Sequence, residues 1–93
     1  MLHTINKSPF EKNTLETCLR LAVDGASILY IEDGVYSAVK NTKFEQLISD
    51  KIKNIKMYVL EPDLKARGLD KSSLINNIEV IDYQGFVKLA VEN

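Results

Sequence analysis

The sequence is organised around the stretch Ile28-Leu29-Tyr30-Ile31-Glu32-Asp33-Gly34-Val35-Tyr36. Four apolar residues in succession, 28–31, are typical of a strand that is buried on both faces, as in a parallel sheet covered by helices. The run ends at Glu32-Asp33-Gly34, where we expect Asp33 to cap a following helix and Gly34 to permit a tight turn. A buried strand that leads into a capped helix is half of a βαβ unit, and such units usually place their chemistry at the carboxyl end of the strand.

Strands and helices alternate along the rest of the chain. The apolar runs predict four strands, near residues 1–5, 28–31, 55–60 and 78–81. The first helix begins at the Ser8-Pro9-Phe10-Glu11 capping box or at Asn13, and it ends at Asp24-Gly25. Later helices follow the strand at 28–31, the Thr42-x-x-Glu45 capping box, Pro62 and Asp82.

This order predicts an α/β fold made of one domain, residues 1–93. The expected architecture is a small three-layer parallel sheet of about four strands with helices on both faces, in a doubly wound, flavodoxin-like layout. A chain of this length buries a smaller share of its surface than a larger domain does. A helix with two apolar faces would therefore indicate a partner subunit.

Composition excludes several classes of function. The formal net charge is −1, so no overall positive field attracts nucleic acid. The single cysteine, Cys18, cannot form an internal disulfide and indicates a reducing compartment. The N-terminal residues lack the apolar core of a signal peptide, and no stretch approaches the roughly 18 apolar residues of a membrane span. We therefore expect a cytoplasmic protein.

The predicted strand ends do not carry a familiar cofactor or metal site. A phosphoacceptor receiver needs an acidic pair after the first strand, where this chain has Asn6-Lys7. A dinucleotide or flavin site needs a glycine-rich or hydroxyl-rich loop there, and Asn6-Lys7-Ser8-Pro9 has no glycine. His3 and Cys18 are the only soft metal ligands, and a structural zinc site needs four, so His3 is expected to pack or to form an edge hydrogen bond. No cofactor and no metal are expected.

Cys18 is the candidate nucleophile. With Leu15, Leu19 and Ala22, it recurs at the spacing of one buried face of the first helix. The alternative to a nucleophile is therefore a cysteine that packs in the core. A mid-helix position also gives little help in lowering the pKa of a thiol.

Two groups of cations are also notable. The lysines Lys51, Lys53 and Lys56 form a basic cluster that is either a solvated surface or a weak RNA-facing patch. Arg67 is expected to pair with Asp63 or Glu61, or to cap the end of its own short helix.

Five segments in order resemble the DsrH/TusB family, a branch of the DsrE-like superfamily. Each segment alone is weakly specific, but together they cover essentially the whole chain. They are Leu2-His3-Thr4, Lys7-Ser8-Pro9-Phe10, Glu32-Asp33-Gly34-Val35-Tyr36, Asp63-Leu64-Lys65-Ala66-Arg67-Gly68-Leu69 and Asp82-Tyr83-Gln84-Gly85-Phe86-Val87.

The resemblance implies a subunit of a cytoplasmic sulfur-relay (sulfurtransferase) complex. Such proteins assemble with DsrE- and DsrF-like or TusD- and TusC-like subunits into a heterohexamer, a dimer of heterotrimers. The complex passes persulfide sulfur to a DsrC/TusE-like carrier. The sulfur ends in 2-thiouridine at the tRNA wobble position or serves sulfur oxidation, and tRNA is involved only indirectly.

The resemblance also bears on Cys18. The principal sulfur-carrying cysteine of the family's complexes belongs to the DsrE/TusD partner, whereas DsrH-type members carry a cysteine in the first helix, at the position of Cys18. The implied role is a persulfide carrier that supports the relay and does not lead it, in a subunit that is itself non-catalytic or weakly catalytic. The alternative is a stand-alone homo-oligomeric module that binds a ligand or a protein and transfers no sulfur.

Overall fold

The computed structural model describes residues 1–11, 14–22 and 24–92, and their strands form one parallel sheet. The strands are β1 (Leu2–Ile5), β2 (Ser27–Tyr30), β3 (Lys56–Leu60) and β4 (Glu79–Ile81). The α-helices are α1 (Thr14–Leu21), α2 (Glu45–Lys51), α3 (Glu61–Ala66) and α4 (Tyr83–Glu92). Two 3₁₀ helices, Glu32–Ala38 and Lys71–Ser73, complete the described elements.

The strands lie in the order β1-β2-β3-β4, and each pairs with its neighbour in parallel. The register aligns Ile5 with Tyr30, Tyr30 with Val59, and Val59 with Val80. Each strand is added on the same side of the previous one, so right-handed crossovers bring the connecting helices to one face of the sheet. A flavodoxin-type order instead reverses direction across the sheet. The predicted four-strand parallel sheet is confirmed, with this simpler order.

The face covered by the crossovers holds the main hydrophobic core. Ile5, Tyr30 and Val59 form one row across this face, and all three are fully buried. The helices cover them with Leu15 and Leu19 of α1 and with further residues from later elements, namely Val35, Ala38, Ile48 and Leu64. Alternate residues along each strand point to opposite faces, and this places Leu29, Tyr58 and Ile81 on the second face.

On the second face, α4 lies against β4. Gly85 of α4 lies so close to β4 that a Cβ atom on it would stand 2.9 Å from the Cβ of Ile81. Burial raises the pKa of Tyr58, a β3 residue on this face, and the nearby carboxylates of Glu79 and Glu92 raise it further. Because Glu92 belongs to α4 and the other helices lie on the first face, the prediction of helices on both faces is confirmed.

Gly34 fixes how β1 meets the 32–38 3₁₀ helix. A Cβ atom at Gly34 would stand 1.9 Å from the carbonyl oxygen of Ile5 and 2.6 Å from its carbonyl carbon, both backbone atoms at the end of β1. The Gly34 N–H donates to the Ile31 carbonyl over 2.8 Å, and the Ile31 N–H donates to the Ile5 carbonyl over 2.9 Å. The tight turn predicted at Gly34 therefore exists, and close backbone approach is the reason that it needs glycine.

Three predicted helix starts are wrong in detail. The Ser8 box forms a turn, in which the Ser8 hydroxyl accepts from the Phe10 N–H, and α1 begins later, at Thr14. The alternative start at Asn13 lies outside the described residues. Asp33 does not cap a helix, since the 32–38 segment has Ile31 at its N-cap with no side-chain capping bond. The Thr42 and Glu45 side chains bond to Phe44 and Asn41 in the turn before α2.

Other local predictions are confirmed. Pro62 lies in the first turn of α3, and Gly68 ends that helix in the left-handed region, at φ 69°. Asp82 accepts from the Gly85 N–H over 2.8 Å and so caps α4. Gly25, after α1, also adopts a positive φ of 89°. Among the described residues, no helix is long and apolar enough to cross a membrane.

We predict that Gly34→Ala destabilises the fold by about 3 kcal/mol, because the added methyl group can be accommodated only if the end of β1 moves. The free energy of unfolding from urea denaturation measures this change. Gly68→Ala is the matched control, since a Cβ there meets nothing within 4 Å and costs only about 1 kcal/mol of left-handed backbone strain. Equal losses for the two variants would show that the contact with Ile5 is unimportant.

Candidate functional site

The residues that follow β2 and β3 come together at the carboxyl edge of the sheet. Glu32 and Asp33 follow β2, and Asp63 and Arg67 lie in α3 and at its C-cap, after β3. We call these four residues the carboxyl-edge network. Glu32 has a left-handed backbone, at φ 50°, and its N–H donates to the Asp63 carboxylate over 2.8 Å. That bond holds an unfavourable conformation in place.

Arg67 is the centre of this network. Its Nε and Nη2 atoms each lie 3.0 Å from Oδ1 of Asp33, and its Nη1 donates to the Asp63 carbonyl over 3.0 Å. The expected pairing with the Asp63 or Glu61 carboxylates is therefore wrong. The expected capping role is confirmed, because the Asp63 carbonyl belongs to the short helix that Arg67 ends. Glu61 instead pairs with Lys65, on the exposed surface of α3.

The charged groups of the carboxyl-edge network form hydrogen bonds within the network. The Asp33 and Asp63 carboxylates accept from Arg67 and from the Glu32 N–H, and the guanidinium donates to both loops. Within the described ranges, no three histidine, cysteine, aspartate or glutamate side chains are grouped so that they could hold a metal ion. This arrangement joins the loops that follow β2 and β3.

Cys18 lies apart from that network, on the inner side of α1. Its side chain is half-buried and packs against the main core, as the packing alternative predicted. Burial raises the pKa of the Cys18 thiol. No group among the described residues lowers that pKa, so at neutral pH the sulfur is mostly the protonated thiol, which is a poor nucleophile.

The buried Tyr30 of β2 is electrostatically coupled to Cys18. The Tyr30 hydroxyl donates to Sδ of Met57 over 3.3 Å. Burial raises the pKa of Tyr30, and a charge on Cys18 would raise it further, which places the thiol close to this phenol. Cys18 thus packs against an apolar core that includes Tyr30, and such surroundings disfavour a thiolate.

The other predicted candidates occupy separate places. His3 is half-buried in the edge strand β1, aligned with Ile28, as expected for a packing residue. Lys53 and Lys56 line a groove beside β3, whereas Lys51 lines a shallow depression beside α1. The lysine cluster read from the sequence is therefore divided between two surfaces.

One feature that sequence reasoning did not single out is the outer face of α4. Tyr83, Val87 and Val91 recur at intervals of four residues, and they are 60%, 62% and 80% exposed. On the same helix, Phe86 and Leu89 are partly buried. An apolar residue at every fourth position, beside a second apolar row on the same helix, was the signal that could have shown it.

Comparison with known proteins gives full-length relatives. The chain is 40% identical over 93 residues to Protein TusB of Escherichia coli strain K12 and 37% identical over 93 residues to Protein TusB of Enterobacter sp. strain 638. It is 36% identical over 94 residues to Protein TusB of Pectobacterium parmentieri. Each match covers all of this chain and 94% of the relative.

Solved structures support the fold. The E. coli ychN protein superimposes with a TM-score of 0.82 at 16% identity, over 97% of this chain and 90% of that one. MTH1491 of Methanobacterium thermoautotrophicum gives a TM-score of 0.75 at 14% identity, over 98% and 90% of the two chains. The family model described as DsrH like protein matches residues 7–93. With that match and the full-length TusB relatives, the chain belongs to the DsrH family, as the sequence motifs had indicated.

Proposed function

We propose that this protein is a non-catalytic or weakly catalytic subunit of a sulfur-relay complex that passes persulfide sulfur between cysteines. Membership of the DsrH family and the relatives named TusB support this role. The observation that carries it is the two-sided apolar character of α4. A helix that covers its own sheet and still exposes an apolar row fits a chain that works against partner subunits.

The outer row of α4 is suited to a partner of the same fold. Tyr83, Val87 and Val91 span two turns of the helix and offer a narrow apolar strip with little charge. Interfaces between permanent subunits resemble a domain core cut in half, with aromatic and aliphatic side chains at the centre. We propose that DsrE/DsrF- or TusD/TusC-like subunits cover this strip in a heterohexamer, and that a DsrC/TusE-like protein accepts the sulfur.

Cys18 has a secondary part in this proposal. In a relay step a thiolate attacks the outer sulfur of a donor persulfide, R–S–SH. A Cys–S–SH forms, and the donor leaves as R–S⁻. The raised pKa and the half-buried position of Cys18 make that attack slow in the isolated chain. A lead role therefore falls to a partner's cysteine, and Cys18 supports the relay after assembly.

The names of the relatives favour one destination for the sulfur. The relatives at 36–40% identity carry the Tus name, and this supports 2-thiolation of the tRNA wobble uridine over sulfur oxidation. Deleting the gene and measuring 2-thiouridine in bulk tRNA by mass spectrometry tests this. An unchanged 2-thiouridine content would reject the tRNA branch.

We predict that Asp33 and Arg67 are coupled by about 1 kcal/mol, because a hydrogen bond and an ion-pair contact join the Asp33 carboxylate, which is half-exposed, to a mostly buried guanidinium that the Asp63 carbonyl also holds. A double-mutant cycle with Asp33→Ala and Arg67→Ala, read from the free energy of unfolding, measures the coupling. The exposed pair Glu61 and Lys65, 3.7 Å apart on the same helix, is the control and should give less than about 0.5 kcal/mol. Equal coupling in both cycles would contradict a structural role for the network.

We predict that Val87→Asp abolishes co-purification of two similarly small subunits in equal amounts from the native cell, because a carboxylate would be buried at the interface. The variant chain should keep its circular dichroism spectrum and its Tm within a few degrees, since residue 87 is exposed. Asn76→Asp, an equal change of charge at another exposed position, should leave co-purification intact. Recovery of the unmodified chain as a lone homo-oligomer would reject the subunit role and favour the stand-alone module.

We predict that Cys18 reacts slowly with iodoacetamide at neutral pH. As the pH is raised, its reaction rate should increase with a midpoint at a higher pH than in the urea-unfolded chain. Burial raises the thiol pKa, so less thiolate is present at any pH below that midpoint. Because Cys18 is the only cysteine, mass spectrometry reads the reaction without ambiguity. Persulfide formation on Cys18 as fast as on the partner's cysteine would contradict the supporting role.

A further inference from the structure

A groove lies at the amino ends of β3 and β4, at the opposite end of the sheet from the carboxyl-edge network. It measures about 270 Å³ and is lined mainly by Ile52, Lys53, Lys56, Met57 and Asn77, with Tyr58 and Glu79 on the side towards α4. A neighbouring groove of about 420 Å³ shares Asn77 and Glu79 with it and adds Lys71. The two grooves adjoin at Asn77 and Glu79, and we call them together the amino-edge groove.

The charges along this groove are unbalanced. Lys53, Lys56 and Lys71 contribute three ammonium groups against the single carboxylate of Glu79. Within the described residues, none of these lysines forms an ion pair, whereas Lys65 and Arg67 on α3 both do. The ammonium groups are therefore available to carboxylates from another molecule.

The floor and walls of the groove are not purely polar. Ile52, which is partly buried, supplies an apolar side chain, and Asn77 supplies an amide that can donate and accept. Apolar contact in the centre with charged groups around it is the usual anatomy of a protein–protein contact.

We propose that the amino-edge groove binds a short acidic segment of a partner protein, with carboxylates on Lys53, Lys56 and Lys71 and one apolar side chain on Ile52. This inference does not depend on sulfur transfer. It concerns a surface that neither Cys18 nor α4's outer row contributes to.

Nucleic acid fits the same groove less well. Glu79 lies among the lysines and would repel a phosphate backbone, whereas a peptide can turn an amide N–H towards it. A polynucleotide also extends beyond a groove of this size, over a surface whose net charge for the whole chain is −1. A short acidic peptide gains the local attraction without meeting the rest of that surface.

The test uses the full chain, ¹⁵N-labelled, with two defined probes: the peptide acetyl-EELEE-amide and a ten-residue oligouridylate. In two-dimensional NMR the peptide should shift the amide signals of residues 52–58 and 77–79, and fluorescence anisotropy of a labelled copy should show weaker binding as salt rises. The double variant Lys53→Glu/Lys56→Glu should weaken binding by about tenfold or more. The control Lys7→Glu/Lys43→Glu makes the same change of charge at exposed positions that do not line the groove, and it should leave binding within about twofold.

Four results would overturn the proposal or one of its two contacts, the charged one and the apolar one. Shifts spread evenly over the surface, or equal weakening by the two double variants, would show that the lysines are only a solvated basic surface. Binding of the oligouridylate at residues 52–58 in preference to the peptide would identify a nucleic-acid surface instead. If a peptide with glycine in place of the leucine binds as tightly as the original peptide, the proposed apolar contact is wrong. Co-purification of partner subunits is scored separately, so failure here leaves the proposed function standing.

Discussion

The contact between Gly34 and the end of β1 is the constraint on which the rest of the structure depends. The 3₁₀ helix that begins at Glu32 lies so close to the Ile5 carbonyl that only a residue without a Cβ fits between them. That proximity fixes the position of the 32–38 3₁₀ helix, which follows β2, relative to the end of β1. It also places Asp33 within reach of Arg67 on the next loop. A single packing requirement thus determines the geometry of the loops at the carboxyl edge.

Much of the fold could be predicted from the sequence because its signals are local. The unalternated run at 28–31 predicts a buried strand, and Pro62, Gly68 and Asp82 mark helix ends by chemistry that acts within one turn. The strand order was not accessible in this way, because both a reversing and a sequential order satisfy the same alternation of strands and helices. The choice between them lies in which strands pair, and that depends on contacts between distant residues.

The candidate site was less predictable, and for the same reason. A carboxylate after a strand can cap a helix or bind a distant cation, and the two outcomes look alike in sequence. Asp33 binds a distant cation, because Arg67, 34 positions away, offers it two N–H groups at once. Cys18 was placed correctly on an apolar face by its spacing. The raised pKa of its thiol, however, follows from burial beside the core and Tyr30, which spacing does not encode.

With the sequential strand order, α4 lies on the second sheet face. One side of α4 packs against the sheet, and the opposite side faces outward. Its inner residues, such as Gly85 and Leu89, stabilise the chain itself, whereas Tyr83, Val87 and Val91 face outward. Substitutions at these outward-facing positions can therefore change which partners the protein binds without preventing it from folding. Paralogues that share one scaffold could diverge into distinct, non-interchangeable components through substitutions on a single side of one helix.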